Sequence, residues 1–284
     1  MMSPIGWLCT DAGRDAGRDA GRDARYCVST VIFLSILIVA VTSFPALAQK
    51  SKQDQNANRN PAADYYNRGN ERHKAGDLDG AIEDYTFALS FDSKFARAWN
   101  NRGVIHFLKG DLDKSIADYG KALELKPDYA EAWNNRGNAR LDKGDTGGAI
   151  ADFDRAISLD SRYAQAYHGR ANARHAQKEL DGAIADYTRA IGINDRFALS
   201  WHNRGTARKD KGELREAVAD FDRALKLDPN RAATWAYRGL TLLMQGKDAE
   251  AERDFARCLE LDPDLKASLT SRIDEAKRQR TAIH

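Results

Sequence analysis

The sequence is poor in the features that mark disulfide-bonded and nucleic-acid-binding proteins. Its 284 residues contain three cysteines, and two of them, Cys9 and Cys27, precede the region where we expect a fold, so Cys258 has no partner for an internal disulfide. Lysine and arginine total 44 against 42 acidic residues, which leaves a net charge of +2 and no block of like charge for a polyanion. Because of this charge balance, no nucleic-acid partner is expected. A mean hydropathy of -0.63 also argues against one thick globular core.

Sequence motifs of common enzymes are also missing. The chain has no H-E-x-x-H zinc motif, no G-x-S-x-G nucleophile motif and no phosphate loop ending in Gly-Lys-Ser or Gly-Lys-Thr. The glycines serve turns and packing instead. The sequence therefore predicts a protein that is not an enzyme and that uses no cofactor or metal.

Three segments of different composition precede the periodic part of the chain. Residues 1–25 form a leader that contains the low-complexity repeat DAGRDAGRDAGRDAR and is expected to be disordered. Residues 26–48 carry no charge and end in A-L-A, which is typical of a signal peptide cleaved after Ala48. The alternative is an uncleaved membrane anchor, since about 20 apolar residues span a bilayer. Residues 49–61 are polar and are expected to form a flexible linker. We therefore expect an exported, periplasmic protein or, in the alternative, a membrane-anchored protein that faces the periplasm.

Self-similarity with a period of 34 residues covers most of the remaining chain. The string W-N-N-R-G at Trp99 recurs at Trp133, and W-H-N-R-G follows at Trp201. Extending this interval gives six gap-free units that end at Leu265. The units begin at Ala62, Ala96, Ala130, Ala164, Ala198 and Ala232.

Each unit carries helical periodicity twice. With the first alanine counted as position 1, position 4 is aromatic, position 8 is Gly or Ala, position 20 is Ala or Ser, and position 24 is Tyr or Phe in all six units. These spacings indicate two helices per unit. Position 15, between the halves, is glycine in five units and Lys178 in the fourth.

These positions resemble the tetratricopeptide repeat family, whose repeat of this length has a bulky residue and Gly or Ala at the same places. The resemblance covers residues 62–265. It implies an all-α fold, an α-solenoid of six helix-turn-helix repeats in a right-handed superhelix, with a concave groove lined by the first helix of each repeat. Residues 266–284 have an apolar stripe with charges elsewhere, which predicts a C-terminal capping helix.

Two positions carry the same charge in every unit, and at the first of them the family usually has leucine. Position 7 is arginine and position 23 is aspartate in all six units. In an antiparallel pair that turns at position 15 these residues come level, so we expect an ion-pair ladder that sets the register of each pair. The alternative is a row of arginines that faces an acidic ligand. Position 11 adds a second basic residue, whose charge acids at position 16 can neutralise. The residues at position 11 are Arg72, His106, Arg140, Arg174 and Arg208.

The groove face is predicted to be mainly polar and uncharged. Helical spacing puts positions 2, 5, 6, 9, 12 and 13 opposite the packed stripe, and asparagine recurs at positions 6 and 9. An asparagine amide both donates and accepts, so it can bond the C=O and N–H of an extended ligand without reading its side chains. The alternative is that these asparagines are merely solvated. The candidate peptide-binding residues are Asn67, Asn70, Asn101, Asn135, Asn138, Asn172 and Asn203.

Three histidines, His168, His175 and His202, are assigned to the same face. Neutral imidazole binds divalent metals well. Adjacent units stack too far apart for most direct ligation, however, so no metal site is expected.

The sequence as a whole predicts a non-enzymatic scaffold for protein–protein interaction. Its concave groove is expected to bind an extended peptide or protein segment through backbone hydrogen bonds and modest apolar contact rather than through charge. The alternative is a membrane-tethered structural or assembly factor of a cell-envelope complex that acts through its convex face.

Overall fold

A computed structural model of the protein describes residues 60–283, and this part of the chain is helical without strands. Residues 1–59, which hold the leader, the predicted signal peptide or anchor and most of the linker, lie outside the described residues. None of the described helices is both long and apolar enough to cross a bilayer. The helices are α1 (Pro61–Lys74), α2 (Leu78–Phe91), α3 (Ala96–Leu108), α4 (Leu112–Leu125), α5 (Ala130–Lys143), α6 (Thr146–Leu159), α7 (Ala164–Ala176), α8 (Leu180–Ile193), α9 (Ala198–Lys211), α10 (Leu214–Leu227), α11 (Ala232–Met244), α12 (Asp248–Leu261) and α13 (Lys266–Ile283), with a 3-10 turn at Pro263–Leu265.

The helices keep the register that the sequence period predicts. In the second to sixth units the first helix begins at position 1, and in all six units the second helix runs from position 17 to position 30. Helix α1 starts one residue earlier, at Pro61, because the side chain of Asn60 accepts a hydrogen bond from the backbone N–H of Ala63 and proline suits the first turn. Residues 60 and 61 therefore belong to the helix and its cap rather than to a flexible linker.

The turn between paired helices requires a residue in the left-handed backbone region. The five glycines at position 15 have φ between +78° and +90°, and a Cβ added to any of them would meet no atom within 4 Å. Lys178 holds the same place in the fourth unit with φ of 63°. Backbone conformation, and not lack of space, therefore favours glycine at this turn.

Each pair of helices closes where an aromatic ring of the second helix packs on a small residue of the first. A Cβ added to Gly103 would lie 2.8 Å from the ring of Tyr119, and one added to Gly137 would lie 2.8 Å from the ring of Phe153. Both rings are fully buried. The small residues predicted at position 8 thus permit the close approach of the two helices.

The six helix pairs stack in chain order into one α-solenoid, as predicted. Each first helix after α1 packs against the second helix of its own unit and against that of the preceding unit. From the second unit onward, successive first helices also contact one another, which puts them on the inner side of the stack. Helix α13 covers the last unit with the buried side chains of Leu269 and Ala276, and Cys258 is a small buried residue of the same cluster. The C-terminal cap is therefore confirmed.

Candidate peptide-binding groove

Arginine and aspartate meet in all six helix pairs. In the third unit Arg136 Nε and Nη2 donate to the two carboxylate oxygens of Asp152 at 2.9 and 2.8 Å. The guanidinium Cζ of Arg136 lies 4.7 Å from the ring centroid of Trp133, which adds a cation–π contact. The predicted ion-pair ladder is confirmed. Its other members are Arg68–Asp84, Arg102–Asp118, Arg170–Asp186, Arg204–Asp220 and Arg238–Asp254.

The basic residue at position 11 binds the same aspartate carboxylate as the arginine at position 7. Arg140 Nη1 donates to Asp152 Oδ2 at 2.8 Å, while Arg140 Nε lies 3.8 Å from the carboxylate of Asp145 at position 16. Arg174 and Arg208 repeat this arrangement. Because these guanidinium groups are occupied by carboxylates of the fold, the alternative of an arginine row that faces an acidic ligand is not supported.

Five of the seven candidate asparagines take part in hydrogen bonds that join neighbouring units, and four of these five form two groups of the same geometry. Tyr85 Oη donates to Asn70 Oδ1 at 2.8 Å, and Asn101 Nδ2 of the next unit donates to the same oxygen at 3.0 Å. Three units later the same group recurs, with Tyr187, Asn172 and Asn203 in the corresponding places and distances of 2.6 and 2.9 Å. These two Tyr–Asn–Asn triads hold the stack together, so much of their hydrogen-bonding capacity is already used.

The other three candidate asparagines keep more of their capacity. Asn67 is exposed, and neither Asn67 nor the half-buried Asn138 has a hydrogen-bond partner among residues 60–283. Asn135 donates one N–H to Asn100 Oδ1 at 3.2 Å. Asn138 lacks a triad because the ring at position 24 of its unit is Phe153, which has no hydroxyl.

The same ring fills the space beside position 6 of the fourth unit, which is Gly169. A Cβ on Gly169 would clash with the ring of Phe153. An asparagine at this place would therefore require the ring to move.

Position 5 does not face the groove, contrary to the sequence-based assignment. Asn100, Asn134, His168 and His202 are all buried, because the next unit covers this side of the first helix. His168 Nδ1 is hydrogen-bonded to Ser200 Oγ at 2.8 Å, and His202 makes the equivalent bond to the next threonine. These two histidines are therefore part of the packed interface.

The three histidines do not share a site. His175 lies on the inner side, where its Nε2 is 2.9 Å from Asp210 Oδ2. His168 and His202 are each bonded to a hydroxyl within the stack. In the part of the chain that the structure describes, no three histidine, cysteine or acidic side chains converge on a metal site.

The inner face of α5 carries two carboxylates that the sequence analysis missed. Glu131, Asn135, Asn138 and Asp142 follow at spacings of four, three and four residues, so they form one stripe along the helix, which we call the α5 stripe. Burial raises the pKa of the carboxyl groups of Glu131 and Asp142, and at Glu131 a hydrogen bond with Asn100 and the charge of Arg97 oppose the shift. Both side chains stay accessible, but the groove displaces enough water to disfavour their charged forms. Single acids on a helix face are ordinary, so no sequence signal distinguished them.

Six stacked helix pairs with an amide-bearing inner face define this chain as a helical-repeat solenoid protein. Family models described as TPR repeat match residues 69–110, 105–144 and 137–178, and models described as tetratricopeptide repeat match residues 164–197 and 202–265. The chain belongs to the tetratricopeptide repeat family, whose members commonly act as scaffolds for protein–protein interaction. A comparison with curated proteins gave no match.

Several solved structures share the fold. MamA is 27% identical with a TM-score of 0.52, and the match covers 58% of this chain and 96% of that chain. YrrB, described as a TPR protein with an unusual peptide-binding site, is 21% identical with a TM-score of 0.55 over 69% of this chain and 99% of its own. PilW, described as a type IV pilus biogenesis factor, is 21% identical with a TM-score of 0.67, and the match covers 72% of this chain and 94% of that chain.

Proposed function

We propose that the inner face of the solenoid binds an extended segment of a partner protein and that the α5 stripe is the centre of this site. The observation that carries the proposal is the amide of Asn138, which is half-buried on the inner face and has no hydrogen-bond partner among the described residues. An amide that the fold does not use, in a place partly shielded from water, is suited to bond a peptide unit of a guest.

Asn135 lies one turn before Asn138 and adds further capacity. Its side chain donates one N–H to Asn100 Oδ1 and accepts a long hydrogen bond from Asn134 Nδ2 at 3.5 Å, which leaves the second N–H for a guest. The two amides together offer donors and acceptors along the helix. They can bond the backbone of a guest whatever its side chains are. The triad asparagines Asn70, Asn101, Asn172 and Asn203 act mainly as structural residues in this proposal.

The two carboxylates of the α5 stripe favour a guest with basic side chains. Glu131 and Asp142 are eleven residues apart, which is about 16 Å along a helix and about five residues of an extended chain. Partial dehydration raises the pKa of both groups, so a cation placed beside either one would stabilise its charged form. Charge thus contributes to recognition at this point, whereas the sequence suggested backbone and apolar contact alone.

The experiment selects extended peptides from a displayed library on the purified chain and measures their affinity for matched variants. Asn138→Ala should weaken the selected peptides about three- to tenfold and leave Tm unchanged. The control is Asn172→Ala, at the same position of the next unit, which should lower Tm because Tyr187 loses its acceptor. N-methylation of the bound peptide units should also weaken binding.

Equal affinity of wild type, Asn138→Ala and a Glu131→Gln/Asp142→Asn double variant would contradict the proposed site. Selection of peptides without enrichment in lysine or arginine would contradict the part assigned to the carboxylates.

We also propose that the protein acts outside the cytoplasm, after export directed by residues 26–48, with a retained membrane anchor as the alternative. The support is the uncharged run that ends in A-L-A at Ala48. The test is the N-terminal sequence and fraction of the protein from its native cell. A mature chain that begins at Gln49 in the soluble envelope fraction supports cleavage, full-length protein in the membrane fraction supports the anchor, and full-length protein in the cytoplasm contradicts both.

A further inference from the structure

The first unit exposes an edge that the preceding unit covers in every later repeat. Trp99 at position 4 packs on Ala88 and Leu89 of the preceding second helix. The side chain of Arg102 at position 7 is 17% exposed in this setting. In the first unit no described helix precedes α1, and the side chain of the equivalent Arg68 is 54% exposed.

The arginine at position 7 has a nitrogen that reaches the preceding unit. Its Nε and Nη2 bind the aspartate of its own unit, and its Nη1 donates to position 25 of the preceding second helix. The pairs and distances are Arg102–Thr86 3.1 Å, Arg170–Asp154 2.6 Å, Arg204–Thr188 2.9 Å and Arg238–Asp222 2.5 Å. Arg136 faces Gly120, which offers no acceptor. Arg68 Nη1 has no partner among the described residues, so this donor points to the place that a preceding second helix occupies in the later units.

An aromatic cluster that the later units lack lies beside this edge, around Tyr65. Position 26 is lysine or arginine in the second to sixth units but is Phe87 in the first. The rings of Phe87 and Phe91 stack on Tyr65 with centroid distances of 5.2 and 5.7 Å. Phe87 is 50% exposed and Phe91 is 58% exposed. We call Tyr65, Arg68, Phe87 and Phe91 the edge patch.

We propose that the edge patch binds an amphipathic helix of a partner protein, in the place that a preceding second helix would occupy. The helices that cover the equivalent edges inside this chain show the required chemistry. Four of the five carry an acid or a threonine at position 25, all have alanine at position 27, and leucine or isoleucine follows at position 28. These sequences are Thr86-Phe87-Ala88-Leu89, Asp154-Arg155-Ala156-Ile157, Thr188-Arg189-Ala190-Ile191 and Asp222-Arg223-Ala224-Leu225, with Gly120 as the exception. The partner helix therefore carries an acid or threonine two residues before alanine.

A second copy of this chain does not fit the edge patch. Symmetric pairing of two edge patches brings two Arg68 guanidinium groups together, which is unfavourable. Head-to-tail pairing requires the last second helix, α12, where position 25 is Ala256 and offers no acceptor. Helix α13 also covers the last unit.

The probe is a peptide of residues 213–228 of this chain, because its Asp222 bonds the arginine of the following unit. A single helix of this length is marginal in water, so the peptide is cross-linked through the exposed positions 215 and 219 and labelled with a fluorophore. It is titrated into the purified full-length chain, and binding is followed by fluorescence anisotropy. Saturable binding is expected.

Phe91→Asp should weaken the peptide about tenfold. The matched control is Leu125→Asp, which changes the same position of the second unit, where the side chain is 40% exposed but not at the edge. This control should bind as the wild type does. Because both substitutions are at exposed helix ends, both variants should fold, which far-UV circular dichroism checks.

A double-mutant cycle tests the polar contact. The peptide variant Asp222→Asn should weaken binding to the wild type about threefold or more but change binding to Arg68→Lys much less. Lysine keeps a cation beside Asp84 while removing the forked donor.

Four results would overturn the proposal: no peptide binding, equal weakening by Phe91→Asp and Leu125→Asp, additive effects in the cycle, or binding only after removal of residues 1–58. The last result would assign the edge patch to the N-terminal segment of the chain itself. None of these results depends on the inner-face variants, so the edge patch and the groove are tested separately.

Discussion

Replacement of Arg136 by alanine is expected to lower the stability of the solenoid strongly. Asp152 is 1% exposed and loses both hydrogen bonds from Arg136, while Arg140 Nη1 remains at 2.8 Å. Breaking one side of a buried ion pair costs about 3–5 kcal/mol. Because one cation remains, we expect the lower end, about 3 kcal/mol, which corresponds to a fall in Tm of about 6–12 °C for a protein of this size.

The matched control is Arg68→Ala, because Arg68 makes the same pair with Asp84 at the open edge. Loss of this exposed side chain admits water to Asp84, so the carboxylate is solvated instead of stranded, and the fall in Tm should be much smaller. Repeat proteins open unit by unit. Thermal melts are therefore combined with amide hydrogen exchange, in which Arg136→Ala should speed exchange chiefly in α5 and α6.

Similar melts for wild type, Arg136→Ala and Arg68→Ala would refute the reasoning. They would show that the buried ladder adds no more to stability than an exposed ion pair does.

Two further perturbations follow from the packed interfaces. Burial lowers the pKa of His168 to about 4 and that of His202 to about 3, whereas imidazoles titrate near 6.5 in the unfolded chain. Below about pH 6.5 the unfolded state thus binds protons that the folded state does not, and the free energy of unfolding should fall by about 1.4 kcal/mol per pH unit for each histidine down to about pH 4. Denaturant unfolding at several pH values checks this slope, and an identical slope in His202→Asn would contradict it. Gly120→Asp should raise Tm above that of Gly120→Ala, because a Cβ there lies 4.0 Å from Arg136 Nη1 and the carboxylate supplies the missing acceptor. A Tm at or below that of the alanine variant would show that the hydrogen bond from position 7 to position 25 of the preceding unit does not stabilise the stack.

The repeat register and the ion-pair ladder could be predicted from the sequence because both depend on short-range geometry. A turn at position 15 fixes which residues of an antiparallel pair come level, so Arg136 and Asp152 had to meet. The left-handed turn at Gly144 follows from local backbone preference in the same way.

The division of the first helix into buried and open sides could not be predicted from periodicity alone. Position 5 lies next to the groove positions on the helical wheel, and only the angle between successive units decides that the next unit covers it. Two patterns in the sequence did hold a signal. The first is the pair of His168 and the hydroxyl residue Ser200, which bond across neighbouring units. The second is the triad pattern, in which Tyr187 occurs together with Asn172 and Asn203. Tyr85 occurs in the same way together with Asn70 and Asn101.

The most direct test of the proposed function places a photoreactive benzophenone residue at Ala176, which is exposed on the inner face, or at Ala151, which is exposed on a second helix. Each variant is irradiated in the native cell, and the cross-linked peptides are identified by mass spectrometry. We predict adducts at position 176 that map to one extended segment of a partner and that decline when Asn138→Ala is added. Adducts at position 151 alone would contradict binding in the groove and would assign the interaction to the convex face.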